Sequence, residues 1–145
     1  MDLISTMKIS SSALEANRVR QAVISSNIAN AQVTRTVEGT PYRPKQVVFG
    51  AAPVEETIGD ALEKELEVKP QVVEAQVVTS DLPPILKYEP NNPEANEQGY
   101  VAYPNINVME EMANMIETSR SYEANVNVMN TTKNMLMKDL EIGKN

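Results

Sequence analysis

The chain has 145 residues and a net charge of −7, from 20 acidic and 13 basic side chains, with no Cys and no His. That length makes one domain, or two small ones around a shared helical body. Without Cys there is no disulfide framework and no thiolate chemistry, and without His the usual general base and the commonest metal ligand are missing.

No apolar run is long enough to cross a bilayer. The first eight residues lack the basic n-region, long apolar h-region and small-residue cleavage site of a cleaved secretory signal, so none is expected. The charge is uneven: residues 1–36 carry +2, 37–106 carry −7 and 107–142 carry −3. No part interleaves basic residues with aromatics, which disfavours nucleic-acid binding.

Taken in order, residues 3–31 read as a long helix. Placed at about 100° per residue, Leu3, Ile4, Met7, Leu14, Ala22, Ile28 and Ala29 fall on one side, and Ile9, Ala16, Val19 and Val23 on the other. Short polar side chains flank these rows, among them Ser10, Ser11, Ser12, Asn17, Ser25, Ser26, Asn27 and Asn30, and they let helices approach closely. Fraying is expected near residues 30–34, where Asn and β-branched residues lower helix propensity.

The composition then changes. Gly39, Pro41 and Pro44 punctuate a turn before a short strand over residues 46–49, ended by Gly50. Residues 55–67 have helical spacing at Ile58, Leu62 and Leu66, but Gly59 and the charge density make a mobile segment an equal reading. Residues 68–79 are the best strand candidate, and Pro83 and Pro84 break it. Residues 85–88 return as a short strand, and residues 100–103 add an edge strand closed by Pro104.

Residues 107–142 form the longest element. Read at 4-3 spacing they give Val108, Met112, Met115, Ser119, Tyr122, Val126, Met129, Lys133, Leu136 and Leu140, uninterrupted by Gly or Pro. At about 1.5 Å per residue the helix would be roughly 54 Å long. A second row runs through Met109, Ile116, Ala124, Val128, Met135 and Ile142. Asn107 reads as an N-cap, with Glu110 placed for a capping box. Six of the eight Met lie here, as ordinary core filling or as an adaptable packing surface.

The expected fold is therefore mainly α with a small β-rich insert, its long N- and C-terminal helices paired antiparallel as a coiled-coil-like body. The expected divisions are an N-terminal helix at 1–33, a β-rich middle at 34–104 and a C-terminal helix at 105–145.

No catalytic site converges. Glu110 with Glu111, and Tyr122 with Glu123, are adjacent on a helix and point about 100° apart, so capping and solvated faces explain them. Asp60, Glu63, Glu65 and Glu67 lack the calcium-loop pattern. The five Gly form neither a phosphate loop nor a dinucleotide fingerprint, so no cofactor is expected.

The two ends resemble a known family. Ser12-Ala13-Leu14, Ala16, Arg18, Arg20 and Asn27-Ile28-Ala29-Asn30 are similar to the N-terminal signature of bacterial flagellar axial proteins, which build the rod and hook. Three stretches narrow the likeness to proximal-rod subunits. They are residues 41–49 (PYRPKQVVF), residues 99–107 (GYVAYPNIN) and Ser119-Arg120-Ser121-Tyr122-Glu123-Ala124-Asn125-Val126. Val33 departs from the small hydroxyl residue expected before Thr34.

The resemblance implies a non-enzymatic structural subunit of the basal-body rod. Such a subunit is exported through the flagellar type III apparatus and polymerises in the periplasm with copies of itself and other rod proteins as a helical, torque-transmitting tube. The residues expected to carry helix packing are Leu14, Ile28, Met112, Met115, Tyr122, Val126 and Leu136. Asn27, Asn30, Arg120 and Asn125 are expected to make polar contacts within or between subunits. The alternatives are a soluble acidic type III export chaperone or helical adaptor, and a carboxylate-based hydrolase.

Overall fold

The computed structural model describes residues 3–53 and 71–143. Two long helices bracket four strands: α1 (Leu3–Ala29), β1 (Lys45–Pro53), β2 (Gln71–Thr79), β3 (Ile85–Tyr88), β4 (Tyr100–Tyr103) and α2 (Val108–Ile142). The class is mainly helical with a β insert, as expected. The ambiguous segment at 55–67 lies outside the described residues.

Neither Gly nor Pro interrupts α1. It stops two residues earlier than expected. Asn30 turns its Nδ2 back onto the Ser26 carbonyl at 2.8 Å, and Ala31 N–H tightens onto Ile28 O at 3.3 Å. An Asn side chain that bonds the backbone locally competes with further helix.

The start of α2 is capped as read from the sequence: Asn107 Oδ1 accepts from Met109 N–H at 3.2 Å, and Glu111 N–H makes the first helical bond to Asn107 O at 3.0 Å. This satisfies one of the orphan donors of the first turn. Glu110 stays exposed.

β1 and β2 form one two-stranded sheet. Gly50, expected to end β1, lies inside it, in a strand as long as its nine-residue partner β2. β3 and β4 form the second sheet, antiparallel, with Ile85 opposite Tyr103 and Tyr88 opposite Tyr100. The connection between them returns through Gly99, whose φ of +82° is in the left-handed region that glycine tolerates. Asn96 Oδ1 braces that return by accepting from Gln98 and Tyr100 N–H groups.

The chain divides into two compact units. One comprises residues 1–18, 49–76 and 119–145; the other comprises 19–48 and 77–118. In the first, the buried described residues are Ser10, Ala16, Asn17 and Thr132; in the second they are Ile24, Asn27, Pro44, Val101, Pro104 and Thr118. Five of these ten are polar. The interior is therefore small and hydrogen-bonded, not a large apolar core.

Candidate assembly surface

The buried and half-buried positions of α2 are Glu111, Asn114, Met115, Thr118, Ser119, Tyr122, Asn125, Val126, Met129, Thr132 and Leu136. Met115, Ser119, Tyr122, Val126, Met129 and Leu136 belong to the expected 4-3 row. The rest of that row differs from the sequence reading: Thr118 and Thr132 are buried, whereas Val108, Met112, Lys133 and Leu140 are exposed. The threonines suit the position because each satisfies its own hydroxyl: Thr118 Oγ1 donates to Asn114 O at 2.7 Å and Thr132 Oγ1 to Val128 O at 2.9 Å. Along α1 the buried positions form a row of Ser10, Ala16, Asn17, Ile24 and Asn27. It too is built mostly of short or polar side chains.

The apolar rows consequently remain outside. On α2, Met109 is 74% exposed, Ile116 56%, Val128 46%, Met135 53% and Ile142 75%. These are the second row read from the sequence, and within this chain it is uncovered.

In the first unit, Ser12 joins α1 to β2: its hydroxyl accepts from Val73 N–H at 3.0 Å and donates to Ile9 O at 2.8 Å. Asn17 Nδ2 donates to Ala13 O at 2.8 Å and reaches Ser121 Oγ at 3.5 Å. Leu14 lines an open groove there with Val72, Tyr122 and Met129, rimmed by Lys8 and Arg18. Val126 and Leu136 are half-buried, and Asn125 donates to the Ser121 carbonyl at 3.0 Å.

In the second unit Asn27 is 1% exposed and uses its full hydrogen-bonding capacity. Its Nδ2 donates to Lys45 O at 2.8 Å and Glu111 Oε1 at 3.2 Å; its Oδ1 accepts from Lys45 N–H at 2.9 Å and the Tyr42 hydroxyl at 3.1 Å. Tyr42 is in turn 3.2 Å from Ser26 Oγ. Glu111, read from sequence as belonging to a solvated face, is half-buried in this network. Ile28 and Met115 are half-buried, while Arg120 projects into solvent. Sequence reasoning placed Ser10 among the short polar residues that let helices approach, but missed Thr118 and Thr132. The signal available was the recurrence of Thr118, Asn125 and Thr132 at seven-residue intervals.

The β3–β4 end carries the one perturbed pair of ionisable groups among the described residues. Glu89 accepts from Asn92 Nδ2 and the Tyr103 hydroxyl, and these bonds, with nearby Lys87, hold its carboxyl below the usual range. The same bond to Glu89 pushes the Tyr103 phenol up. The pair ties Tyr103 of β4 to the turn that follows β3. No group of three or more acidic, Cys or His side chains among the described residues could hold a metal ion. Asp60, Glu63, Glu65 and Glu67 lie outside those residues. No described helix is long and apolar enough to cross a membrane.

Two long helices, with short and polar residues prominent among their buried positions and an uncovered apolar row along α2, define a structural subunit of the assembling class. Comparison with known proteins agrees. Residues 7–35 match the family described as flagella basal body rod protein, and residues 97–142 match the flagellar basal body rod FlgEFG protein C-terminal family. Flagellar basal-body rod proteins FlgC from Salmonella typhimurium, Escherichia coli and Bacillus subtilis are 43%, 44% and 40% identical, each over 99% of this chain and 100% of its own length.

The chain belongs to the FlgC family of flagellar basal-body rod proteins. It is accordingly a structural component of the basal-body rod and not an enzyme; the chaperone alternative is not favoured.

Proposed function

We propose that the chain polymerises through its terminal helices, with copies of itself and with other rod proteins, into a helical tube that transmits torque. The observation that carries this reading is the uncovered row on α2, Met109, Ile116, Val128, Met135 and Ile142. Apolar side chains repeated along one face are covered when neighbours arrive. Contacts between different faces of successive copies extend into tubes instead of rings when the rotation between copies does not close.

Within the subunit, α1 and α2 pair antiparallel as a coiled-coil-like body. Two bonds support this, one in each compact unit: Asn17 to Ser121 and Asn27 to Glu111. Residues 1–33 and 105–145 then act as the helical body and residues 34–104 as the β-rich insert. Leu14, Ile28, Met112, Met115, Tyr122, Val126 and Leu136 supply helix packing, and Asn27, Asn30, Arg120 and Asn125 the polar contacts. Delivery runs through the flagellar type III export apparatus to the periplasm.

The test is incorporation into basal bodies. Ile116→Asp and Met135→Asp alter exposed positions, where substitutions usually change folding stability by no more than about 0.5 kcal/mol. They are expected to leave the soluble chain intact yet remove it from purified basal bodies and abolish swimming. Tyr122→Asp is expected to block incorporation too. Motile cells carrying both exposed-row substitutions would sink the reading.

A further inference from the structure

The Asn27 network does more than satisfy buried groups. Its four bonds tie the end of α1 to two further stretches, the Tyr42–Lys45 arm and the first turns of α2. Lys45 fixes which way the amide points, since its N–H needs an acceptor and its carbonyl needs a donor. Only an amide of this length presents both. The fourth bond holds Glu111 inward. On a helix at about 100° per residue, turning Glu111 inward places Met109, Met112 and Ile116 toward solvent.

Burial of apolar area alone would favour the opposite rotation, with Met112 inside and Glu111 in water. A buried Asn that selects one helix register over a greasier alternative is an established use of such residues.

We infer that Asn27 is a positioning residue: by holding Glu111 inward it keeps the Met109–Met112–Ile116 face of α2 turned outward for the neighbouring rod subunit. This inference rests on the assembly reading for the identity of the neighbour, but not for the rotation itself.

Two substitutions separate the possibilities. Asn27→Asp keeps the shape but sets a carboxylate oxygen against the Lys45 carbonyl and Glu111 Oε1. Leaving such buried acceptors without a donor is expected to lower incorporation into basal bodies about tenfold. Adding Glu111→Gln should recover part of it, because the introduced amide can donate to the introduced carboxylate. Glu111→Gln alone retains its accepting oxygen and should incorporate like the native chain.

The rotation is read separately on the purified full-length chain. Because the sequence has no Cys, Met112→Cys carries a unique thiol. Its labelling by a water-soluble maleimide should slow when Asn27→Leu is added and helicity is retained. Unchanged labelling in that pair would overturn the inference, as would, with the native chain incorporating, an Asn27→Asp/Glu111→Gln double variant no better than Asn27→Asp. If labelling responds as expected while the native chain never enters basal bodies, the assembly reading fails and the positioning role stands.

Discussion

The Tyr103 hydroxyl donates to Glu89 Oε2 at 3.0 Å, and Asn92 Nδ2 reaches the same oxygen at 3.0 Å. The bond needs an ionised carboxylate and a protonated phenol together. Glu89 has a lowered folded pKa, so its contribution is present above the unfolded carboxylate value and is lost as pH falls through the folded one. Tyr103 has a raised folded pKa, so its contribution is present below the unfolded phenol value and is lost as pH rises through the folded one. The β3–β4 turn should therefore be firmest between those limits. Titration followed by NMR should move Glu89 and Tyr103 in opposite directions from free side chains, and Tyr103→Phe should return Glu89 toward its ordinary range.

Gly99 and Gly39 both have positive φ, +82° and +78°, but their surroundings differ. A Cβ at Gly99 would lie 2.8 Å from Tyr88 Cε2 and 3.4 Å from Pro90 Cβ, whereas at Gly39 nothing lies within 4 Å. Gly39→Ala should cost about 1 kcal/mol from backbone conformation alone. Gly99→Ala adds a clash that forces the Tyr88 ring off its edge-on contact with Tyr100, now at 5.3 Å between centroids. Thermal unfolding should rank Gly99→Ala as clearly the more damaging.

Thr118 is 1% exposed and its hydroxyl is already bonded within its own helix. Thr118→Val keeps the outline and removes both the hydroxyl and any need to bond it, so a stability change within about 1 kcal/mol is expected. Thr118→Leu inserts volume into a close contact and should cost about 1–3 kcal/mol. Equal losses for the two, measured by denaturant unfolding, would mean that size at this position does not matter.

Asn107 accepts from Met109 N–H as the N-cap of α2. Asn107→Ala should lower stability by about 1 kcal/mol, whereas Asn107→Asp should preserve it, since a carboxylate accepts the same bond and opposes the helix dipole favourably. Equal losses for both variants would argue against capping.

Much of this was readable from local pattern. Uninterrupted helical spacing with Asn107 ahead of it placed α2 to within one residue, and β-rich runs between Pro and Gly clusters placed β3 and β4. The motifs at Asn27–Asn30 and Ser119–Val126 carried the family. Periodicity failed at the choice of inner face. Val108, Met112 and Lys133 shared the right spacing with Met115, Tyr122 and Leu136, yet the positions of α2 that are buried are Thr118 and Thr132.

Hydrophobic patterning assumes that the greasiest row turns inward. That holds for a chain that completes its own core, and this one leaves Met109, Ile116 and Met135 uncovered. Local sequence, acting through dihedral preference and capping, determined which segments are helix and strand. Tertiary structure decided how the helices are turned, because Asn27 can meet Tyr42, Lys45 and Glu111 only when residues far apart along the chain are brought together. No spacing rule contains that four-bonded amide.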